Sequence, residues 1–295
     1  MLGRSLLLAS FLVMAVTRSA SALEYALVTS WSVSGDGGIA VDAAGDVYVA
    51  HGTEVSKYDP TGAPLAGGFD AGTTLSRIAI ASDGSFYLLA TSLAILHFDA
   101  AGVSQSTWPG IASNSRGLAV DANHNVYVFV FEEGEQIKRV ASDGTPQNAF
   151  GAFEISQAIA VGPDGSIYGT DGSPHTFAVQ RFPAEGGDRI TGWGDGFAPI
   201  EDGPSADGDF HTPAALSIAG GKVFVADGGN SRIQVFTESG TFLTKWSTTS
   251  VRGVAADTNG NVYVYGNGKV EKWAPSSDTP VAPATWGAVK ARWSH

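Results

Sequence analysis

One short apolar motif recurs through most of this 295-residue chain and limits what it can fold into. The motif has the form Ile-Ala-Val, and its copies are spaced 39, 40, 41, 57 and 38 residues apart, at Ile39-Ala40-Val41, Ile78-Ala79-Ile80, Leu118-Ala119-Val120, Ile159-Ala160-Val161, Leu216-Ser217-Ile218 and Val254-Ala255-Ala256. A period of about 40 residues indicates repeated structural units that bury their apolar faces against one another. The chain therefore contains six similar units.

Each unit is predicted to contain four β-strands. A polar turn follows the tripeptide, and a strand of β-branched and aromatic residues such as Val47-Tyr48-Val49 follows the turn. A third strand comes next, and a fourth ends in an aromatic residue six or seven positions after a turn glycine, as Phe69 follows Gly62. Only five such fourth strands follow the six tripeptides. The missing strand is found at residues 25–31, whose pattern matches residues 241–246.

This arrangement predicts an all-β fold, a six-bladed β-propeller of four-stranded antiparallel blades that is closed by the N-terminal strand. Closure by the first strand would remove the exposed edges that an open sheet leaves. We assign the propeller to residues 23–273. In such a blade the loops that enter the first strand share one face with the loops between the second and third strands, and we name this the entry face. The turns after the first and third strands share the opposite face, the turn face.

The fifth unit resembles the NHL repeat, a six-bladed propeller unit. The resemblance rests on the lead-in Asp207-Gly208-Asp209-Phe210-His211-Thr212-Pro213 and on the hairpin from Val223 to Phe236, and it extends over about residues 24–274. It implies the propeller fold. Asp227, Asn230 and Arg232 match the strand-end and loop positions of the repeat, so we interpret them as residues that hold the repeat together.

The two ends of the chain are predicted to lie outside the propeller. Residues 1–22 have the features of a cleaved secretory signal peptide, with Arg4, an apolar run from Leu6 to Val16 and the small residues Ala20-Ser21-Ala22. The run is too short for a membrane span. We therefore expect a secreted or periplasmic protein with no membrane span after cleavage. Residues 274–295 are predicted to form a Pro/Ser/Thr linker and a short tail, which is either a sorting or docking signal or a segment that packs loosely on the propeller or is disordered.

Composition excludes several classes of function. There are no cysteines, which excludes disulfides, thiolate metal sites and a cysteine nucleophile. Cleavage after residue 22 leaves 15 basic and 29 acidic residues, a net charge of −14. Because nucleic-acid binding depends on lysine and arginine neutralising phosphates, we expect no nucleic-acid partner.

The turn face is predicted to be regular, since its Asp-x-x-Gly turns are typical turn chemistry. The entry face is irregular, and irregular loops on a rigid scaffold commonly carry binding sites. Arg77, Arg116 and Arg252 enter innermost strands on this face, and Gln157 occupies the related position in the fourth blade. Arginine suits bidentate binding of carboxylates, so these residues predict an anion site. The alternative is that each arginine pairs with a neighbouring aspartate or carbonyl group.

A catalytic interpretation depends on four other residues of the entry face, namely His51, Asp171, His175 and His211. If they converged, they could hold a metal with an open position, as in propellers of the amidating-lyase type. The innermost strands, however, carry Gly, Ala and Ser with no central acid or histidine. They therefore lack an axial calcium site of the gluconolactonase type. A peripheral calcium site is a further possibility, with Glu201, Asp202, Asp207 and Asp209 as its oxygen ligands.

Two functions therefore stay open from the sequence. The first is a secreted, non-enzymatic recognition or scaffold propeller that binds a protein, peptide or glycan on its irregular face and needs no cofactor. The alternative is an extracellular lyase or hydrolase with a metal-assisted site at the channel mouth. The fold cannot choose between them, because propellers perform both kinds of task.

Overall fold

The computed structural model describes residues 23–35, 37–114, 116–194, 206–249 and 251–276. The predicted signal peptide, residues 1–22, and the tail after Ser276 lie outside the described residues. Within the described ranges no helix is long and apolar enough to cross a membrane. The strands lie in one compact unit, Leu23–Ser276.

The described strands form six four-stranded antiparallel sheets, which confirms the predicted six blades. Blade 1 contains β2 Ile39–Val41, β3 Val47–His51, β4 Glu54–Tyr58 and β5 Pro64–Asp70. Blade 2 contains β6 Leu75–Ile80, β7 Phe86–Ala90, β8 Ile95–Phe98 and β9 Ser104–Trp108. Blade 3 contains β10 Leu118–Val120, β11 Val126–Phe131, β12 Glu135–Val140 and β13 Pro146–Phe153.

The remaining blades follow the same order. Blade 4 contains β14 Ser156–Val161, β15 Ile167–Asp171, β16 Ala178–Phe182 and β17 Thr191–Trp193. Blade 5 contains β18 Pro213–Ala219, β19 Lys222–Asp227, β20 Arg232–Thr237 and β21 Phe242–Ser247, with a short 3-10 helix at Gly228–Asn230. Blade 6 contains β22 Gly253–Ala256, β23 Val262–Gly266, β24 Lys269–Pro275 and the N-terminal strand β1 Tyr25–Ser32.

The N-terminal strand closes the ring, as the sequence predicted. Strand β1 pairs antiparallel with β24 from Tyr25↔Pro275 to Ser32↔Lys269, with one irregularity between Leu27 and Thr29. At the start of β1, Tyr25 stacks on Trp246 of blade 5 with ring centroids 4.5 Å apart. The first strand of the chain is therefore tied both to its own blade and to the preceding one.

The core lies between blades rather than within one central cluster. Each pair of neighbouring blades encloses its own group of buried apolar side chains, and this includes the pair formed by blades 6 and 1. The innermost strands touch one another around the ring, with β2 against β22. Neighbouring blades cover both faces of each sheet. The second strand of a blade is therefore buried almost throughout, as in β7 and β15.

A second repeated contact joins the outer parts of the blades. In five of the six blades, the aromatic residue near the end of the outer strand covers the turn glycine between the third and fourth strands of the next blade, in the pairs Trp31 and Gly62, Phe69 and Gly102, Trp108 and Gly144, Phe150 and Gly186, and Trp193 and Gly240. A methyl group on any of these glycines would lie 2.5–2.8 Å from the ring that covers it. The recurrence of glycine and aromatic residues in the sequence is therefore explained by packing between blades.

Candidate functional site at the entry-face mouth

The axis of the propeller opens on the entry face through a narrow mouth of about 90 Å³. Its wall is formed by the starts of the innermost strands, and the side chains of Arg77, Arg116 and Arg252 line it. Gly38 and Gly253 also line it, and an added β-carbon on either would lie 3.0 Å from an atom of the neighbouring innermost strand, so these glycines let the innermost strands pack closely. The structure therefore brings together the three arginines that the sequence had placed at the entry to innermost strands.

Arg77 is held in the wall by backbone carbonyl groups. Its Nη1 donates to the carbonyl oxygen of Ser76 at 2.7 Å, and its Nε donates to the carbonyl oxygen of Arg116. Burial, together with the nearby positive charge of Arg116, lowers the pKa of Arg77 to about 10. Burial and the like charge disfavour the charged form of this guanidinium, and an anion bound beside it would stabilise that form.

Arg116 and Arg252 are exposed at the mouth. The backbone N–H of Arg116 donates to Asn114 Oδ1 at 3.0 Å, and Asn114 Nδ2 in turn donates to Ser156 Oγ at 3.0 Å. The backbone N–H of Arg252 donates to the carbonyl oxygen of Tyr265 at 2.9 Å. The main chain on both sides of the mouth is thus fixed by hydrogen bonds, and both arginines remain exposed.

Gln157 is not part of the mouth. Its side chain lies over Gly172, where a methyl group would approach Gln157 Cγ to 2.7 Å. The residue therefore packs against the end of the second strand of its own blade, and its alignment with the arginines in sequence does not give it the same position in space.

The four residues of the catalytic interpretation are spread over three blades. His51 in blade 1 shares a hydrogen bond with Ser56 Oγ at 2.7 Å. His175 in blade 4 is exposed, and its Nδ1 lies 3.3 Å from Glu154 Oε2. His211 precedes blade 5 and its ring packs edge-on against Phe177, 5.3 Å between centroids. Within the described ranges, no three His, Asp or Glu side chains form a group that could hold a metal ion.

Asp171 and Asp227 are buried residues that tie each blade to the segment entering it. Asp171 accepts hydrogen bonds from the backbone N–H groups of Glu154 and Ile155, at 2.9 and 3.1 Å. Asp227 accepts one from the backbone N–H of His211 at 2.7 Å. Both aspartates end a second strand, and the segment they hold leads into the first strand of the same blade.

The residues predicted to hold the repeat together are Asp227, Asn230 and Arg232. They form one hydrogen-bonded network in blade 5. Asp227 Oδ2 accepts hydrogen bonds from Arg232 Nε at 2.7 Å and from Asn230 Nδ2 at 2.9 Å. Arg232 Nη2 also donates to the carbonyl oxygen of Asp209 at 2.8 Å. Because Asp227 is 0% and Arg232 6% exposed, this ion pair is sealed within the blade and is unavailable to a ligand.

The proposed calcium ligands are only partly within the described residues. Glu201 and Asp202 lie outside them. Asp207 forms an ion pair with Lys245, and the carbonyl oxygen of Asp209 accepts hydrogen bonds from Arg232 and Gln234. The described half of this acidic loop is thus engaged with blade 5.

Sequence reasoning missed the groups that hold the mouth and its surroundings in place. The carbonyl oxygens of Ser76 and Arg116 orient Arg77, and no residue type signals such a role. Glu154 was also missed: it binds Ser173 Oγ and His175, and these hydrogen bonds lower the pKa of Glu154. The signal available in the sequence was the position of Glu154, an acidic residue just before the innermost strand β14.

Comparison with known proteins agrees with the repeat and with the fold. An NHL repeat model matches residues 210–236, and a beta-propeller repeat model matches residues 240–270. The chain shares 15% identity with virginiamycin B lyase from Staphylococcus aureus, at a TM-score of 0.60, over 86% of this chain and 100% of that one. It shares 15% identity with a gluconolactonase from Xanthomonas campestris, at a TM-score of 0.62, over 86% and 90%.

A third similar structure is a chain of the mitotic checkpoint complex, with 13% identity and a TM-score of 0.61 over 94% of this chain and 99% of that chain. At such low identity these likenesses show the fold alone. The repeat matches lie in blades 5 and 6, and the six blades and the closure by β1 establish the architecture. The chain is a six-bladed β-propeller that contains an NHL repeat in its fifth blade.

Proposed function

We propose that this propeller is a secreted or periplasmic recognition protein, without catalytic activity, that binds a protein, peptide or glycan through an anionic group placed at the entry-face mouth. The observation that carries the proposal is the convergence of Arg77, Arg116 and Arg252 on one opening of about 90 Å³. In a chain with far more acidic than basic residues, three arginines that line one opening are a marked local excess of positive charge.

The size of the mouth limits what it can hold. Ligand pockets for whole small molecules commonly measure about 300–1,000 Å³. A space of about 90 Å³ suits a single carboxylate or a group of similar size. The rest of the ligand would then lie across the irregular loops of the entry face, which suits a polymer or a protein better than a small metabolite.

Electrostatics favours an anion over a neutral group. The pKa of Arg77 is lowered by burial and by Arg116, so a bound carboxylate would stabilise both charged guanidinium groups. Charge-assisted hydrogen bonds from arginine to a carboxylate contribute about 1.5–3 kcal/mol each. Two such bonds would account for the anchoring of a ligand at this point.

The enzymatic alternative has weaker support. A virginiamycin B lyase and a gluconolactonase share the fold, but so does a chain of the mitotic checkpoint complex, so the fold does not favour catalysis. His51 lies in blade 1, away from the blade 4 loop of His175 on which His211 packs, and in the described part of the chain no set of acids and histidines could hold a metal. We therefore do not propose a metal-assisted reaction.

The test uses polyglutamate and polygalacturonate as anionic probes and measures binding by calorimetry at low and moderate salt. We expect the double variant Arg116→Ala/Arg252→Ala to lose roughly tenfold or more in affinity, with a melting temperature close to that of the wild type. Arg189→Ala, an exposed arginine outside the mouth, is the matched control and should change affinity less than about twofold.

Two results would contradict the proposal. One is unchanged binding of both probes by the double variant. The other is a large loss of stability in that variant, which would show that the arginines serve the fold. Removing Arg77 is a poorer test, because its guanidinium bonds to the carbonyl oxygens of Ser76 and Arg116 and so contributes to the wall itself.

A further inference from the structure

A depression of about 960 Å³ lies at the other end of the axis, on the turn face. It is enclosed by the ends of innermost strands and the turns that follow them. We name it the turn-face bowl. The sequence had indicated only regular turns here, because the aspartates of these turns are engaged in turn formation.

The floor of the bowl is apolar and partly open to solvent. It is formed by the third residue of each repeated tripeptide, namely Val41, Ile80, Val120, Val161, Ile218 and Ala256. All six are half-buried: each packs on the core between two blades on one side and faces the bowl on the other. A ring of aliphatic groups around one axis offers a surface for a single large apolar side chain.

The rim of the bowl is acidic on one side. Asp42, Asp83, Asp121 and Asp164 stand on four successive blades, and Glu185 adds a fifth carboxylate beside blade 4. Arg139 also lines the bowl, so carboxylates outnumber guanidinium groups among the lining residues by five to one. On blade 5 the rim is formed by Ala219 and Gly220, so the negative charge covers part of the circumference.

The rim carboxylates differ in how many hydrogen bonds they already accept within their turns. Asp42 and Asp121 are occupied, since each accepts two backbone N–H groups and the hydroxyl of a tyrosine, Tyr48 or Tyr127. Asp83 is 56% exposed and binds Ser85, and its Oδ2 lies 3.6 Å from His124 Nε2. Glu185 is exposed. Asp83 and Glu185 are therefore the rim groups best placed to meet a cation from outside.

Basic side chains face this rim from β16 and from the turn between β10 and β11. Arg181 pairs with Asp164 at 2.7 Å, and His124 faces Asp83. Hydrogen bonds from the backbone N–H and the hydroxyl of Ser85 lower the pKa of Asp83, and this carboxylate is ionised at neutral pH. The turn-face bowl is thus opposite in charge to the entry-face mouth, where three arginines meet.

From this geometry we propose that the turn-face bowl binds a short peptide segment of a partner protein, in which one large apolar side chain is flanked by lysine or arginine residues. The apolar side chain occupies the aliphatic floor, and the basic residues on either side of it reach Asp83 and Glu185 on the rim. Charge complementarity selects this occupant, because an acidic or purely apolar segment would leave the rim carboxylates without a counter-charge.

The test measures binding of the acetylated and amidated peptide Arg-Lys-Phe-Lys-Arg to the full chain by isothermal titration calorimetry at low salt. We expect the double variant Asp83→Asn/Glu185→Gln to weaken binding roughly five- to tenfold, since each exposed ion pair contributes up to about a factor of five. Ile80→Lys, which places a like charge on the floor, should weaken it by about tenfold or more. A peptide with glycine in place of phenylalanine should bind about tenfold more weakly.

Two controls locate the site. Asp143→Asn removes a carboxylate from a turn on the same face that does not line the bowl, and it should change the dissociation constant less than about twofold. Arg116→Ala/Arg252→Ala should leave binding of this basic peptide unchanged, so the result here is independent of the anion site on the entry face.

Several outcomes would overturn the proposal. These are no binding of the basic peptide by the wild type, equal binding of Glu-Glu-Phe-Glu-Glu, or an equal effect of the Asp143 variant and the rim variant. A loss of binding in the arginine variant would place the peptide on the entry face. Circular dichroism of each variant separates loss of the site from loss of the fold, because Asn at position 83 can still accept the backbone N–H of Ser85.

Discussion

Substitution of Gly62 by alanine tests the contact that links neighbouring blades. Gly62 lies in the turn between the third and fourth strands of blade 1, and Trp31 of the closing strand covers it. A β-carbon at this position would lie 2.5 Å from two atoms of the Trp31 ring, and the backbone has a φ of +92°. The substitution therefore combines backbone strain with a steric clash.

Gly45 separates these two effects. It has a φ of +88°, it occupies a similar aspartate-initiated turn, and the nearest atom to its added β-carbon is 3.6 Å away. Left-handed backbone costs a non-glycine residue about 1–2 kcal/mol. Overpacking costs about 1–3 kcal/mol more. We expect Gly45→Ala to cost about 1–2 kcal/mol and Gly62→Ala to cost about 2–5 kcal/mol.

The measurement is the free energy of unfolding in denaturant together with the melting temperature. For a domain of this size, 1 kcal/mol corresponds to about 2–4 °C. In a Trp31→Ala background the clash is removed, so Gly62→Ala should then cost no more than Gly45→Ala. Equal costs of the two glycine variants in the wild type, or a cost at Gly62 that persists without Trp31, would refute the explanation.

Three other predictions concern the ring, the buried ion pair and acid stability. Deletion of residues 23–31 should destabilise the propeller by several kcal/mol, because blade 6 loses its outer strand; an unchanged melting temperature would contradict closure. Asp227→Ala should cost about 3–5 kcal/mol, because Arg232 is left charged and buried, whereas a cost below about 1 kcal/mol, measured by urea unfolding, would show the pair to be dispensable. Burial alone would raise the pKa of Glu271, but hydrogen bonds from Lys269, Thr248 and Trp273 outweigh burial and lower it. The ionised Glu271 therefore stabilises the fold above about pH 4.5, and this contribution is lost as the pH falls through the lowered pKa. The free energy of unfolding, measured against pH, should fall less steeply in Glu271→Gln than in the wild type.

The two ends of the propeller axis carry opposite charges. Three arginines surround the entry-face mouth, and carboxylates dominate the rim of the turn-face bowl. The two proposed sites therefore select ligands of opposite sign, and binding at each should weaken as salt rises, since screening acts on exposed charges at both. A single protein with two such faces could hold two different partners at once, which is the task of a scaffold.

The sequence alone was sufficient to predict the repeats, the six blades and the closing strand. Local signals carry this information: a period of about 40 residues, alternating strand patterns and Asp-x-x-Gly turns all belong to short stretches of chain. The pattern also placed Arg77, Arg116 and Arg252 at equivalent positions, and equivalent positions around a ring meet at its axis. Symmetry allowed the sequence to predict that meeting.

Only the tertiary structure decided what breaks the symmetry. Gln157 aligns with the arginines but turns onto Gly172, since Gly172 leaves room for its side chain. Asp171 is a candidate metal ligand in the sequence, yet it is buried as an acceptor for the segment entering its blade, the same role that Asp227 has in blade 5. The turn-face bowl was also hidden, because each of its six floor residues is an ordinary strand end in sequence. They form a surface only when six strands converge on one axis, and distances across that axis depend on side-chain packing between segments far apart in the chain.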